Sequence, residues 1–242
     1  MTLGALVLHG FTSSLDTVSG LAPHLEAAGI PYRMPYLRGH GQTPEALRGV
    51  KYRDWYDDAG AALDDVRGEA DRAVIVALSM GALPAMALAV ERPEAVAGLA
   101  LVAPFLHSRS PLAPFSGLLA RFLRDFPNPP PPPDPTYVCT NYTWFPTASF
   151  VEVYKFQREV EGRLGQITQP LLILGSRRDN LAHPRGLRQI LESVRSAEKR
   201  LEWFGKTGHE MMQGCEREAV YAEIMGFLAN RRIAAREAEA RA

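Results

Sequence analysis

Three residues in this chain combine a type and a position that suit nucleophilic catalysis: Ser79, Asp179 and His209. Ser79 lies in Ala77-Leu78-Ser79-Met80-Gly81, directly after the β-rich run Val74-Ile75-Val76 and before a run of helical character. A serine at a strand-to-helix turn has its hydroxyl held out above a sheet, and the crowded turn requires small residues two before and two after it. Ala77 and Gly81 meet that requirement, although the usual pattern has glycine at both places. The pentapeptide alone fits a helix-capping serine equally well, so partner residues must decide. A serine hydroxyl is a weak nucleophile that needs a base within hydrogen-bond reach, and the base needs a third group to fix its tautomer. Leu171-Leu172-Ile173-Leu174 leads into Gly175-Ser176-Arg177-Arg178-Asp179, and the strand-like run 199–204 leads into Gly205-Lys206-Thr207-Gly208-His209. The interval between Asp179 and His209 holds one helix and one strand, which puts the two residues on neighbouring loops. Ser79 as nucleophile, His209 as base and Asp179 as orienting acid are therefore expected. Acyl transfer also requires donors aimed at the developing oxyanion; the backbone N–H groups of Met80 and of Phe11, in His9-Gly10-Phe11-Thr12, are the candidates.

The elements that must position these residues follow from periodicity. Short β-rich runs near 3–8, 31–35, 73–78, 98–102, 171–174 and 199–204 alternate with helical patterns, the signature of βαβ units and a mainly parallel, doubly wound sheet of about six strands. Val18, Leu21, Ala22 and Leu25 have helical spacing, closed by Gly29 as a C-terminal cap. A second helix is expected from Asp54, with Trp55, Ala59, Ala62, Leu63 and Val66 inward and Asp57 and Asp58 in its first turn. Others are expected over 184–194 and 216–231, the last with Val220, Ile224 and Leu228 inward. The interval 104–169 breaks the rhythm with many Leu and Phe residues and the proline tract 127–135, so it is expected to be a cap between the two parts of the core, 1–103 and 170–242. The tract reads as a stiff extended connector within that cap.

Composition narrows the function classes. The chain has 242 residues, enough for one large domain burying roughly 70–75% of its unfolded surface. Lys+Arg 27 against Asp+Glu 27 leaves no net charge to gather nucleic acid or anionic lipid. Two cysteines, Cys139 and Cys215, form neither a disulfide framework nor a zinc-ligand set, and no histidine–carboxylate group has metal-site spacing. The uncharged stretch Ala73–Val90 reads as a buried strand running into a buried helix and not as a membrane span, since Ser79, Gly81 and Pro84 interrupt it. With no basic leader at the N-terminus, a cytoplasmic protein without an integral membrane segment is expected. Oligomeric state is left open.

His9-Gly10-Phe11, Arg38-Gly39-His40-Gly41, the Ser79 pentapeptide, Asp179 and Gly208-His209 together resemble the α/β-hydrolase fold family over essentially the whole chain. Leu8-His9-Gly10-Phe11-Thr12, Leu37-Arg38-Gly39-His40-Gly41 with Thr43-Pro44-Glu45, and Asp54-Trp55 resemble more narrowly the small bacterial carboxylesterases related to bacterial monoacylglycerol lipase. The resemblance implies a serine esterase with a small cap over an apolar acyl pocket, no cofactor, and a small-molecule ester as partner, with short- to medium-chain acyl esters or monoacylglycerols as substrates. The same triad also serves thioesterases and carbon–carbon bond hydrolases, and a ligand-binding hydrolase fold without catalysis is the reading from another class. Among the remaining histidines, His9 and His40 read as structural members of the oxyanion loops, His24 as a residue on the polar side of its helix, and His183 as a helix entry, while His107 is a candidate for lining the substrate pocket.

Overall fold

The computed structural model describes residues 2–109, 115–130, 136–137 and 139–241. Six strands form one sheet: β1 (Leu3–Leu8), β2 (Tyr32–Arg33), β3 (Arg72–Leu78), β4 (Val96–Val102), β7 (Leu171–Ser176) and β8 (Lys199–Phe204). Their order is β2-β1-β3-β4-β7-β8, and every pairing is parallel. The central strands are apolar runs without alternation because both faces are covered. Leu6, Leu8, Ile75, Ala77, Leu99, Leu101, Leu171 and Ile173 enter one core cluster. Ala5, Val7, Val74, Val76, Leu78, Ala100, Val102, Leu172 and Leu174 enter the other. The period of two divides each strand between them.

On the first face lie α2 (Tyr52–Arg67), α3 (Ala82–Glu91) and α6 (Pro184–Ser193). The second is covered by α1 (Ala22–Ala27), the turns before it, and α7 (Arg217–Arg241), whose Val220, Ile224 and Leu228 are buried as expected. The expected helix through Val18 is shorter than its spacing suggests: residues 15–17 and 19–21 form two 3₁₀ turns, and only Ala22–Ala27 is α-helical. Pro23 sits in the first turn of α1 and has no N–H with which to continue a helix from upstream, so the α-helix can only begin there. Val18, Leu21 and Leu25 are nonetheless buried, and Gly29 has φ +62°, as a C-terminal cap requires. α2 begins at Tyr52, two residues before its expected start, because the Asp54 carboxylate accepts from Lys51 N–H at 2.8 Å and so caps the helix from inside its first turn. The stretch read as a buried strand and helix is β3 and α3, and among the described residues no helix is long and apolar enough to cross a membrane.

Between β4 and β7 the described residues contain α4 (Ser116–Leu119), a two-stranded antiparallel ribbon of β5 (Asp125–Pro127) and β6 (Trp144–Pro146), and α5 (Thr147–Glu161). Val153, Phe156 and Val160 of α5 join the first core cluster, so the second half of this interval is anchored in the body of the protein. The Phe156 ring meets Tyr52 of α2 at 5.1 Å. Pro131–Pro135 lie outside the described residues, and the expected stiff connector lies there in part.

Candidate active site

Parallel pairing brings the carboxyl ends of β1, β3, β4, β7 and β8 to one edge, with Leu8 opposite Ala77, Leu78 opposite Val102, and Val102 opposite Leu174. The chain runs outward from β1 to β2 but the other way from β3 to β4, so a crevice opens between the ends of β1 and β3. Ser79 stands there with φ +53°, a left-handed conformation costing about 1–3 kcal/mol for a residue with a side chain. The turn lies so close to β1 that a Cβ on Gly81 would meet His9 O at 2.7 Å and Leu8 O at 2.9 Å. Phe105 N–H donates to Ser79 O at 3.1 Å and ties the loop after β4 to the same turn.

His209 Nε2 lies 2.9 Å from Ser79 Oγ, and His209 Nδ1 lies 2.8 Å from Asp179 Oδ2. A carboxylate only accepts, so the ring carries its proton on Nδ1 and turns the Nε2 lone pair toward Ser79. Asp179 Oδ1 accepts from Leu181 N–H at 2.8 Å and Ala182 N–H at 2.9 Å, which fixes the carboxylate plane. Asp179 is 5% and His209 8% exposed. Burial disfavours charge on the His209 ring, but the Asp179 charge and hydrogen bond, with help from Glu210, outweigh it and raise the pKa to about 8. Burial likewise opposes charge on Asp179, yet His209 and the two backbone donors hold its carboxyl below the usual range. The loop carrying His209 is steadied by Glu216, whose Oε2 accepts from Lys206 N–H and Thr207 N–H, both at 2.8 Å. This arrangement can pass the serine proton to the imidazole and stabilise the imidazolium that forms.

A second layer holds the loop after β1. His9 is fully buried; Nδ1–H donates to Gly10 O at 2.8 Å, Nε2 accepts from Leu37 N–H at 3.0 Å, and burial lowers its pKa to about 4. Both ring nitrogens are thus used structurally. His40 packs 4.9 Å from the His9 ring and 5.9 Å from Phe11, with Nδ1 on the Leu37 and Arg38 carbonyls, and burial and then the neighbouring His9 lower its pKa to about 3. α2 pins this loop: Arg38 bonds Asp54 and Asp58 at 2.7 Å each, and Trp55 Nε1–H donates to Arg38 O at 2.9 Å. From the other side Tyr142 O–H donates to Gly39 O at 3.0 Å and accepts from Gln42 N–H at 2.9 Å.

Ser79 and His209 open onto a cavity of about 220 Å³. Its apolar wall is a chain of rings, with Phe11 5.2 Å from Phe145, Phe145 5.6 Å from Phe150, and Phe150 6.3 Å from Phe105. Thr12, Asn128, Asn141 and Glu210 supply a polar part. Met80, the other expected oxyanion donor, follows Ser79 in the 3₁₀ turn Ser79–Gly81 that opens α3. His107 corrects an expectation: it is not among the residues walling this cavity, and Nε2–H instead donates to Gln189 Oε1 at 2.6 Å, with Glu161 at 3.9 Å. The β-bridge between Ser108 and Ala182 and the bond from His183 N–H to His107 O fix the backbone there, while Gln189 on α6 captures the ring. His183 caps α6 by accepting from Arg185 N–H, and His24 is 39% exposed on its side chain, 3.9 Å from Glu218. Asn128, Asn141 and Tyr142 were not expected at the site, and no local pattern marks them. Glu210 was also missed, though a carboxylate directly after the expected base was a readable signal.

Comparison with known proteins agrees with this architecture. A family model described as serine aminopeptidase, S33 (Hydrolase_4) matches residues 5–144 and 139–216. A carboxylesterase of Bacillus subtilis (strain 168) is 23% identical over 226 residues, covering 92% of this chain and 91% of the relative. A thermostable monoacylglycerol lipase of Bacillus sp. (strain H-257) is 25% identical over 229 residues, covering 94% and 90%. Among solved structures, one described with LipS and LipT, two metagenome-derived lipolytic enzymes, superposes with a TM-score of 0.89 at 25% identity over 94% of both chains. The monoacylglycerol lipase of Paleococcus ferrophilus shares the fold, with a TM-score of 0.77 at 17% identity over 94% of this chain and 95% of that one. With a family model matched across more than half of its length and a parallel sheet of the corresponding topology, the chain belongs to the Hydrolase_4 family of α/β-hydrolase-fold serine hydrolases.

Proposed function

We propose that the protein is a serine carboxylic-ester hydrolase for short- to medium-chain acyl esters, monoacylglycerols included. The observation that carries this reading is the unbroken line Asp179 Oδ2 to His209 Nδ1 to Ser79 Oγ, with hydrogen-bond separations of 2.8 and 2.9 Å, at the wall of a cavity lined mainly by aromatic and aliphatic side chains. Ser79 attacks the ester carbonyl while His209 Nε2 takes its proton, and the tetrahedral oxyanion is held by the N–H groups of Met80 and Phe11. Collapse releases the alcohol, protonated by His209, and leaves an acyl-enzyme. Water activated by the same histidine then releases the acid. Asp179 stays ionised throughout and orients the ring. The interval 104–169 acts as the cap, giving Phe126, Phe145 and Phe150 to the acyl pocket. Three correctly spaced groups favour catalysis over mere ligand binding, and the names of the two Bacillus relatives favour esters.

Labelling with an organophosphonate followed by peptide mass measurement is expected to place one adduct on Ser79. A panel of p-nitrophenyl esters, monoacylglycerols and acyl-CoA thioesters is expected to favour the oxygen esters. A protein that binds these esters without turnover or labelling would refute the proposal.

A further inference from the structure

Thr12 directly follows Phe11, the expected oxyanion donor, and has φ +60°. A β-branched side chain crowds its own backbone in this left-handed region, so the surroundings must hold the residue there. The loop has little slack near the nucleophile: two residues earlier, a Cβ on Gly10 would lie 3.3 Å from Ser79 Cβ. Thr12 is 3% exposed. Among the described residues, both hydrogen bonds that it accepts come from the interval between β4 and β7. Tyr142 N–H donates to Thr12 O at 2.8 Å, and Asn128 Nδ2–H donates to Thr12 Oγ1 at 3.2 Å. The Asn128 amide also donates to Tyr142 O at 2.6 Å, and Asn128 N–H donates to Thr143 O at 2.8 Å, so the two partners of Thr12 brace each other. Beyond Thr12 the contact continues, with Ser14 Oγ 3.0 Å from Thr140 Oγ1.

The aim of Phe11 N–H depends on this grip. Before Thr12, His9 is tied to Leu37 N–H and Gly10 O; after it, Ser13 Oγ lies 2.9 Å from Thr17 Oγ1. With the loop tethered on both sides, relaxation of Thr12 to a negative φ has to be absorbed by the adjoining dihedrals, and the nearest are those of Phe11. Its N–H then turns away from the place where the oxyanion forms. Resting on the esterase reading above, we infer that Asn128, acting through Thr12 together with the Tyr142 peptide, is a positioning residue for the oxyanion hole. The interval that gives the pocket Phe145 and Phe150 thereby also aims one of the two donors. Outright removal of an oxyanion donor costs about 10²–10³ in kcat, so misaiming one is expected to cost about 10- to 100-fold.

The test is a mutant cycle between Asn128 and Thr12, read by p-nitrophenyl butyrate kinetics over a pH series beside a Tm comparison. Asn128→Ala is expected to lower kcat about 10- to 100-fold while KM stays within about threefold. The pH limb of His209 is expected to stay in place, since its bonds to Asp179 and Ser79 are untouched. Glycine populates positive φ about as readily as negative φ. In a Thr12→Gly background, which needs no such grip, the same Asn128→Ala change is therefore expected to cost less than about threefold relative to Thr12→Gly alone. Thr12→Val keeps the branching and loses Oγ1, so it is expected to share the kcat loss of Asn128→Ala, and combining the two is expected to add little. A loss from Asn128→Ala that is equal in the wild-type and Thr12→Gly backgrounds, a loss confined to KM, or wild-type kcat in Thr12→Val would overturn the inference. A wild-type protein that neither hydrolyses the ester nor takes an organophosphonate on Ser79 would instead count against the esterase reading.

Discussion

Replacing Gly81 by alanine tests whether the serine turn works by close approach to β1. The added Cβ would stand 2.7 Å from His9 O, 2.9 Å from Leu8 O and 3.0 Å from Leu8 Cβ. Two of these atoms are backbone and the third is a Cβ, so no side-chain rotation relieves the clash. Restoring ordinary contact near 3.4 Å requires the turn and the end of β1 to part by about 0.7 Å. That displacement separates Ser79 and Met80 from the loop that carries Phe11. Misplacement of about 1 Å in a catalytic constellation costs on the order of 100-fold, so kcat for p-nitrophenyl butyrate is expected to fall by about 30- to 100-fold with a smaller change in KM. Overpacking here is also expected to lower stability by about 1–3 kcal/mol, seen as a Tm decrease of several degrees. Gly10→Ala is the internal comparison, because its Cβ would lie 3.3 Å from Ser79 Cβ, a contact that a small adjustment can absorb. A Gly81→Ala protein with wild-type kcat would refute the claim that this approach positions the nucleophile.

Ser79→Ala is expected to fold normally and lose at least about 10⁴-fold in kcat, measured by ester hydrolysis beside a Tm comparison. The base must be neutral to act, and His209 has a pKa of about 8 in the free protein, so kcat/KM is expected to fall as pH drops below that value, about tenfold per unit. Asp179→Asn removes the charge that opposes the effect of burial; the limb should move to lower pH while the plateau falls by orders of magnitude, as a pH–rate series would reveal. Since His107 is bonded to Gln189 away from the cavity wall, His107→Ala is expected to change kcat/KM by no more than about twofold. In a series of p-nitrophenyl esters, each added methylene is expected to contribute up to about 0.8 kcal/mol until the aromatic wall is covered, and acetate should be the poorest substrate.

What the sequence determined by itself is whatever depends on short-range rules. Buried parallel strands are apolar runs, and all six lie within two residues of their expected ends. The turn at Ser79 announced itself because crowding demands small neighbours, and the order of Ser79, Asp179 and His209 placed each just beyond a strand. Their approach to hydrogen-bond distance is a product of the tertiary structure, since only the parallel register brings three distant strand ends to one edge. Outside the strands, legibility fell with distance from regular structure. Helical spacing at Val18, Leu21 and Leu25 marked the buried face but not the break at Pro23, because burial pattern and backbone hydrogen bonding are separate constraints. The direction of His107 was settled by Gln189 on α6, far along the chain. The polar part of the cavity, where Asn128 and Asn141 from the interval between β4 and β7 meet Thr12 and Glu210, has no period and no motif. Its members are brought together only by long-range packing, which a linear pattern does not record.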